Sequence, residues 1–403
     1  MGDGLDADDL VADAIAATGI EDVGDDWFLA PLSAWSADLR QANLTDVGRR
    51  FFRSQAVKDI ARRLRVLETL RANPEIHDVE LPPIVYITGM ERSGTTLLHN
   101  LIALHDGARS ILRWELMEPV PPPEAATAAT DPRIAKVQAA IEPLRGSLLE
   151  QMHWVDANDP EECVWGFVDC VSFLGQAAGF VMPTWGAFVS QADQTRSFEH
   201  YRQLLQLLTW KHPVPDGGFL ALKAPQIAVH IAEFATVFPE ATFVVPDRDP
   251  FRCIVSMVFM GRSIVEPFCV DNPVRGPADE GYADGLHTGA FDVVGSFARK
   301  LDALAAFENA HPDRIVHVPY PALIGDPAGT TTRLMDALGV PTDPLLGQRV
   351  DDFLAGQRAG RRAAPPAELD TLGFDHDEVL AEHSIARYCA RYAITPERSR
   401  LTG

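Results

Sequence analysis

The sequence predicts an α/β protein whose mostly parallel β-sheet is flanked by helices, with helical additions at its N- and C-terminal ends. Short apolar runs that are rich in β-branched residues and bounded by turn residues are typical of strands buried in a parallel sheet. Longer segments whose apolar residues recur at helical spacing lie between these runs. This alternation favours a sheet that is covered on both faces. We place the strands at residues 84–88, 109–112, 219–222, 242–245 and 315–318.

We expect a single domain over residues 1–403. Its first part, 1–80, is a helical N-terminal extension that opens with an acidic segment. Residues 82–340 form the α/β core, and 341–403 form a C-terminal loop and helical segment. Within the core, 261–290 is rich in Gly, Pro and Asp, which predicts an irregular excursion that can act as a lid.

The strongest helical pattern of the extension runs from Thr45 to about Ala72. Its apolar residues recur at spacings of three and four, which places them on one face of a helix. Basic residues lie mostly off this face, so we expect a solvated flank rather than a binding surface. The apolar face consists of Phe52, Ala56, Ile60, Leu64 and Leu67, and the basic flank consists of Arg49, Arg50, Arg62, Arg63 and Arg65.

The loop between the first predicted strand and the next helix, 95–104, has the composition of a phosphate cradle. Glycines let several backbone N–H groups converge on one anion, and a helix N-terminus adds a positive dipole end. Hydroxyl side chains add further donors. The loop and the first helical residues read Gly89-Met90-Glu91-Arg92-Ser93-Gly94-Thr95-Thr96, of which we expect Arg92, Ser93, Gly94, Thr95 and Thr96 to bind the anion.

The cation of this loop is an arginine. Gly89 and Gly94 have the spacing of a Walker A motif, but Thr95 stands where that motif requires lysine. The planar guanidinium of Arg92 suits bidentate contact with the oxygens of a sulfate or phosphate group.

A second anion site is predicted where the fourth strand ends. The chain continues as Pro246-Asp247-Arg248-Asp249-Pro250 into a helix. Arg248 at the strand end and Ser256, about two turns into the helix, can bracket one phosphate. The alternative is that Arg248 forms a capping ion pair with a neighbouring aspartate, Asp247 or Asp249.

Both motifs resemble those of sulfotransferases that use 3′-phosphoadenosine 5′-phosphosulfate (PAPS). The loop around Arg92 resembles the 5′-phosphosulfate loop of the bacterial branch, although many relatives carry proline where Glu91 stands. The Arg-Asp-Pro motif followed by a serine resembles the 3′-phosphate element of that family, which implies that role for Arg248 and Ser256. The resemblance covers roughly residues 45–395 and implies the P-loop sulfotransferase fold.

The same resemblance suggests further cationic residues. Lys223 lies in a Leu-Lys-x-Pro segment at a strand end, where the family places positive charge near the transferring group. Family members also close a late basic loop over the 3′-phosphate, and Arg361 and Arg362 are the candidates here. Arg92 and Lys223 would stabilise the charge that develops on the leaving group.

A general base must also take the proton of the acceptor. Glu115 follows the second predicted strand and resembles in placement the glutamate that serves some bacterial sulfotransferases as base. His153 is the second candidate, because relatives of the eukaryotic cytosolic type use histidine. His99 and His105 fall on the helix after the phosphate loop, and we interpret both as packing or surface residues.

Composition and charge exclude several classes of protein. The 403 residues include 35 Lys+Arg and 57 Asp+Glu, a formal net charge of −22, so we expect no nucleic-acid partner. No apolar run approaches the ~20 residues of a membrane-spanning helix, and the acidic N-terminus is unlike a secretory signal. Five scattered cysteines without a CxxC pair argue against zinc and disulfides. We expect a cytoplasmic protein, and we predict no particular oligomeric state.

The resemblance therefore implies a PAPS-dependent sulfotransferase that needs no metal. Its acceptor is a hydroxyl or amine of a small molecule, a lipid or a glycan. One alternative is a small-molecule P-loop kinase that uses Mg-ATP, with Asp247 ending a Walker B-like strand. The other is a nucleotide-binding protein without catalytic activity.

Overall fold

A computed structural model describes residues 4–145, 155–167, 182–279, 292–360 and 372–397. Three predicted site residues, His153, Arg361 and Arg362, lie outside the described residues. None of the helices in this described part of the chain combines the length and the apolar composition of a membrane-spanning segment.

Five parallel strands form one sheet in the order β2-β3-β1-β4-β5, which confirms the predicted α/β class. Each predicted apolar run overlaps one strand. Because β1 lies between β3 and β4, the carboxyl ends of these three strands are neighbours at one edge of the sheet. The strands are β1 (Ile84–Ile87), β2 (Ala108–Ser110), β3 (Phe219–Lys223), β4 (Ala241–Asp247) and β5 (Ile315–Pro319).

Helices cover the sheet and extend the chain at both ends. The N-terminal helices are α1 (Ala7–Thr18), α2 (Leu29–Gln41) and α3 (Asp46–Ala72). Within the core lie α4 (Thr95–Ile102), α5 (Arg113–Met117), α6 (Pro132–Ile141), α7 (Pro183–Gln191), α8 (Thr195–Trp210), α9 (Ile231–Val237), α10 (Pro250–Val265), α11 (Val293–Ala310), α12 (Tyr320–Gly325) and α13 (Pro327–Ala337). The C-terminal helices are α14 (Leu346–Gly360), α15 (His376–Ala381) and α16 (His383–Arg391).

The central strands are buried on both faces. Tyr86 and Phe243 belong to one core cluster, whereas their chain neighbours Val85 and Val244 belong to another. Successive side chains of a strand point to opposite faces, so the continuous apolar runs serve two helical layers. This explains why these strands could be predicted without alternating polar residues.

Helix α3 confirms the predicted helical pattern but not the solvated flank. Thr45 caps its N-terminus by accepting a hydrogen bond from the Gly48 amide at 3.0 Å. Arg62 and Arg63 are buried, and they pair with Asp59 and Asp25 respectively. The flank prediction is wrong for these two arginines because carboxylates, buried in Asp59 and partly exposed in Asp25, offset the cost of desolvating their charge.

One further boundary differs from the sequence prediction, and a 3₁₀ helix, Pro225–His230, precedes α9. Helix α10 continues to Val265, five residues into the predicted excursion at 261–290, because Gly261 and Val265 keep its buried face against the core. Residues 266–279 are irregular, as expected, and 280–290 lie outside the described residues.

Candidate active site

Three predicted motifs meet at the carboxyl edge of the sheet. Lys223 ends β3, the phosphate loop follows β1, and Arg248 follows β4. Ile87 at the end of β1 is in register with both Lys223 and Val244. The phosphate loop and Lys223 therefore leave adjacent strands at the same level, and β4 continues to Asp247 before Arg248. All three lie at the edge where ligands of open α/β sheets bind.

The phosphate loop contains three residues with positive φ angles. Gly89 and Gly94 have φ angles of 124° and 100°, and a Cβ atom at Gly94 would lie 3.1 Å from the ring of Tyr320. Arg92 has a φ of 66°, which is unusual for a residue with a side chain. Its carbonyl oxygen accepts a hydrogen bond from Arg248 Nη1 at 2.7 Å, which helps to hold this conformation.

The side chain of Arg92 joins the two predicted anion motifs. Its Nε atom donates to Ser256 Oγ at 3.0 Å. Burial lowers the pKa of Arg92, and the positive charge of neighbouring Arg248 lowers it further. Two neighbouring guanidinium groups repel each other, so an anion placed between them would be favoured.

The hydroxyl groups of the loop have different surroundings. Ser93 is buried and its Oγ donates to the carbonyl of Met90 at 2.7 Å, which closes the loop on itself. Thr95 and Thr96, in the first turn of α4, line a large cavity. Lys223 Nζ donates to Thr96 Oγ1 at 3.3 Å.

Lys223 forms an ion pair that no motif in the sequence indicates. Its Nζ donates to Glu162 Oε1, and Gln226 Nε2 donates to Glu162 Oε2 at 3.2 Å. The peptide that carries Glu162 is held beside the end of β2 by a bridge between Leu112 and Pro160. Glu162 therefore lies among the cations at the carboxyl edge and lines the cavity.

The structure does not bring Glu115 to the phosphate loop. Its carboxylate is fully buried and accepts hydrogen bonds from both terminal nitrogens of Arg109, at 2.8 and 3.2 Å. Burial raises the pKa of Glu115, but hydrogen bonds from His212 and Arg109 outweigh it, so the net shift is downward. Among the described residues that line the cavity, Glu115 is absent. His99, also buried, contacts the Ala221 carbonyl at 3.0 Å, and burial lowers its pKa to about 4.

Glu91 lines the cavity and has a cationic partner on α11. Its carboxylate pairs with Lys300, and both side chains are nearly buried. The negative charge that departs from the family pattern is thus compensated by Lys300.

Arg248 pairs with a residue from the C-terminal segment rather than with either neighbouring aspartate. Its Nε and Nη2 atoms contact the two carboxylate oxygens of Glu397 at 2.7 and 2.9 Å. Asp249 instead caps α10 through the Phe251 amide. Asp247 contacts His317 Nδ1 at 3.0 Å and accepts from the Tyr388 hydroxyl at 2.9 Å. These internal partners disfavour Asp247 as a magnesium ligand.

The cavity beside these motifs has a volume of about 1240 Å³. This exceeds the roughly 300–1,000 Å³ of most small-molecule sites, so it can hold more than one ligand. Its polar lining includes Arg92, Thr95, Thr96, Glu162 and Arg248, and much of its apolar lining comes from α3, α6 and α10. Apolar lining residues include Val120, Val137, Ile141, Trp165, Met257, Ile264 and Phe268.

Three residues at this edge were not assigned from the sequence. Tyr320 follows β5 directly, and its ring lies 4.1 Å from the Arg248 guanidinium carbon; its place after a strand was a usable signal. Glu162 stands in an acidic Asp-Pro-Glu-Glu segment, but nothing local indicates its pairing with Lys223. Glu397 lies in a segment without any motif.

Comparisons with known proteins agree with this arrangement. Residues 83–344 match the Sulfotransferase family. Omega-hydroxy-beta-dihydromenaquinone-9 sulfotransferases Stf3 of Mycobacterium bovis and Mycobacterium tuberculosis are each 26% identical over 305 residues, covering 72% of this chain and 69% of theirs.

Two crystal structures have the same fold. Sulfotransferase STF9 from Mycobacterium avium superposes with a TM-score of 0.84 at 24% identity, covering 97% of this chain and 98% of that one. For sulfotransferase STF1 from Mycobacterium tuberculosis H37Rv the TM-score is 0.76 at 21% identity, covering 94% and 98%.

Proposed function

Because the chain belongs to the sulfotransferase family, we propose that it transfers the sulfuryl group of PAPS to a hydroxyl group of an apolar acceptor. The observation that carries this proposal is the convergence of Arg92, Ser256 and Arg248, which come from two separate motifs, at one edge of the sheet. Neighbouring cations of this kind suit a ligand with more than one anionic group.

The donor would lie across the edge of the sheet. The first turn of α4, with Thr95 and Thr96, would hold the 5′-phosphosulfate through backbone N–H groups and hydroxyls. Arg248 and Ser256 would hold the 3′-phosphate, and Arg92 would lie between the two groups. We keep Arg361 and Arg362 as proposed closing residues for the 3′-phosphate.

The transfer needs charge stabilisation and removal of one proton. PAPS supplies an activated sulfuryl group: a new S–O bond forms to the acceptor oxygen while the bridging S–O bond to the phosphate breaks. Lys223 and Arg92 would stabilise the negative charge that develops on the leaving phosphate oxygen. The electron pair of the broken bond leaves with adenosine 3′,5′-bisphosphate (PAP).

We assign the general base to Glu162 in place of Glu115. Glu162 lines the cavity and contacts Lys223, so its carboxylate can take the acceptor proton beside the transferring group. The carboxylate of Glu115 is held by Arg109 and the Leu112 amide outside that lining. A general base typically contributes 10²–10⁴-fold to the rate.

The cavity supports an apolar acceptor of substantial size. Its walls on α3, α6 and α10 would bury a hydrocarbon body while the hydroxyl reaches Glu162. The named activity of the Stf3 relatives is on a hydroxylated menaquinone, which is a lipid. We therefore favour a hydroxylated lipid over a glycan.

We expect PAP to bind in the micromolar range or tighter without a metal, and ATP much more weakly with or without Mg²⁺. The reason is that PAP offers phosphates to both anion motifs, whereas ATP lacks the 3′-phosphate. Isothermal titration calorimetry measures the affinities. A preference for Mg²⁺–ATP would contradict the proposal.

The variant Arg248→Ala tests the assignment of the 3′-phosphate site in the same experiment. It should bring the affinity for PAP close to that for 5′-AMP, because it removes a charge-assisted contact to the 3′-phosphate. If the variant keeps the wild-type ratio of the two affinities, the 3′-phosphate lies elsewhere.

The proposed acceptor class predicts that longer primary alcohols are better substrates. Each buried methylene contributes about 0.8 kcal/mol, so kcat/KM should rise up to about fourfold per methylene until the cavity is filled. Transfer is measured with PAPS and alcohols of increasing chain length. In the variant Ile264→Asp, which places a charge on the cavity wall, the gain should shrink while PAP binding persists. A flat series, or a preference for oligosaccharides, would rule out this class.

A further inference from the structure

The carboxylate of Glu397 binds Arg248 where a phosphate would bind. Its two oxygens lie at 2.7 and 2.9 Å from Nε and Nη2, the paired nitrogens along one edge of the guanidinium. Arginine can bind a carboxylate or a phosphate in bidentate fashion through this edge. Burial lowers the pKa of Arg248, but the hydrogen bonds with Glu397 outweigh it and raise the pKa above its usual range.

The third nitrogen of Arg248 also has a partner. Its Nη1 atom donates to the carbonyl of Arg92 at 2.7 Å, and its face lies against the ring of Tyr320. Three of the five N–H donors are therefore engaged, and the two that remain belong to Nη1 and Nη2. A bidentate phosphate contact through Nε and Nη2 requires the carboxylate of Glu397 to leave.

The backbone of Glu397 is held by the same motif. Its amide donates to Asp249 Oδ2 at 2.8 Å, and its carbonyl accepts from Arg252 Nε at 2.9 Å. These bonds fix the C-terminal segment on the Arg-Asp-Pro turn and direct its one carboxylate at Arg248. The side chain of Glu397 keeps 34% of its surface exposed, so it can swing into solvent without opening the core.

We propose that Glu397 is a built-in competitor of the 3′-phosphate, which PAPS displaces from the Nε–Nη2 edge of Arg248 when it binds. The inference rests on the proposed function, since it takes Arg248 as the 3′-phosphate site. A dianionic phosphate can replace a singly charged carboxylate, and Glu397 can return to Arg248 when PAP leaves. The residue thereby weakens retention of the product.

The test compares PAP binding to the full-length wild type and the variants Glu397→Gln and Glu397→Ala. Both variants should bind PAP about tenfold more tightly, and PAP should dissociate more slowly, because no carboxylate competes for Arg248. The affinity for 5′-AMP, which lacks the 3′-phosphate, should change by less than about twofold. Calorimetry measures the affinities, and stopped-flow displacement measures the dissociation rate.

Asp377→Asn is the matched control. It removes the same charge from a fully exposed side chain on α15 and should leave PAP binding unchanged. Equal PAP affinity of the wild type and both Glu397 variants, or weaker binding by the variants, would overturn the inference while leaving the proposed function intact. Failure of every protein to bind PAP would overturn both.

Discussion

Replacing Glu162 by glutamine is expected to lower turnover by about 10²–10⁴-fold without weakening PAP binding. The amide keeps the size of the side chain but cannot accept the acceptor proton. Lys223 would lose its charged partner, so the positive charge available to the leaving group would not decrease. Single-turnover transfer from PAPS, measured beside PAP calorimetry, separates the chemical step from binding.

Glu115→Gln is the control, because it makes the same chemical change in the other glutamate that is a candidate for the base. It leaves Arg109 buried without a charged partner, so we expect a lower midpoint of thermal unfolding. Turnover per folded molecule should stay near that of the wild type. If Glu115→Gln is folded and inactive while Glu162→Gln is active, Glu115 is the general base.

If both variants fold and both lose activity, each carboxylate is needed for turnover, directly or through its partner. Full activity of both would exclude these two carboxylates and leave His153 as the remaining predicted base. The two variants thus distinguish Glu162 from Glu115 whenever only one of them loses activity.

The parts of the fold that could be predicted are those encoded by neighbouring residues. The strand before the phosphate loop is an apolar run with turn residues on both sides, and α3 has both a Thr45 cap and a regular apolar spacing. The positive φ angles at Gly89 and Gly94 follow from the same local chemistry. The family resemblance also assigns the loop around Arg92 and the motif at Arg248 to one cofactor site from the sequence alone.

The pairing of charges could not be predicted, because it depends on which strands and loops become neighbours. Lys223 and Glu162 are 61 residues apart in the chain, and Arg248 and Glu397 are 149 apart. No spacing or composition encodes such pairs. Glu115 could be placed correctly after β2, but its pairing with Arg109, six residues earlier, depends on how the chain turns from β2 into α5.

The burial of Arg62 shows the limit of helical patterns. A periodicity of apolar residues locates the apolar face of a helix, but it does not show which other elements cover the remaining faces. Here Arg62 also donates to the carbonyl of Leu116 at 3.1 Å, so α5 covers part of the face expected to be solvated. Only the tertiary arrangement determines this.

Replacing Lys300 by methionine is expected to lower the free energy of unfolding by about 3–5 kcal/mol, because it leaves the carboxylate of Glu91 buried without a cation. The same charge would then act on the neighbouring Arg92 and oppose an anion at the loop, so PAP binding should also weaken. Urea denaturation and PAP calorimetry measure the two effects.

The double variant Glu91→Gln/Lys300→Met distinguishes an uncompensated charge from a simple loss of packing. Removing both charges of a buried pair is often nearly neutral, so the double variant should recover most of the stability and of the PAP affinity. An additive loss in the double variant would instead show that the lysine stem on α11 acts through its packing. Wild-type stability of Lys300→Met alone would mean that Glu91 reaches solvent, and that the loop tolerates its carboxylate without a partner.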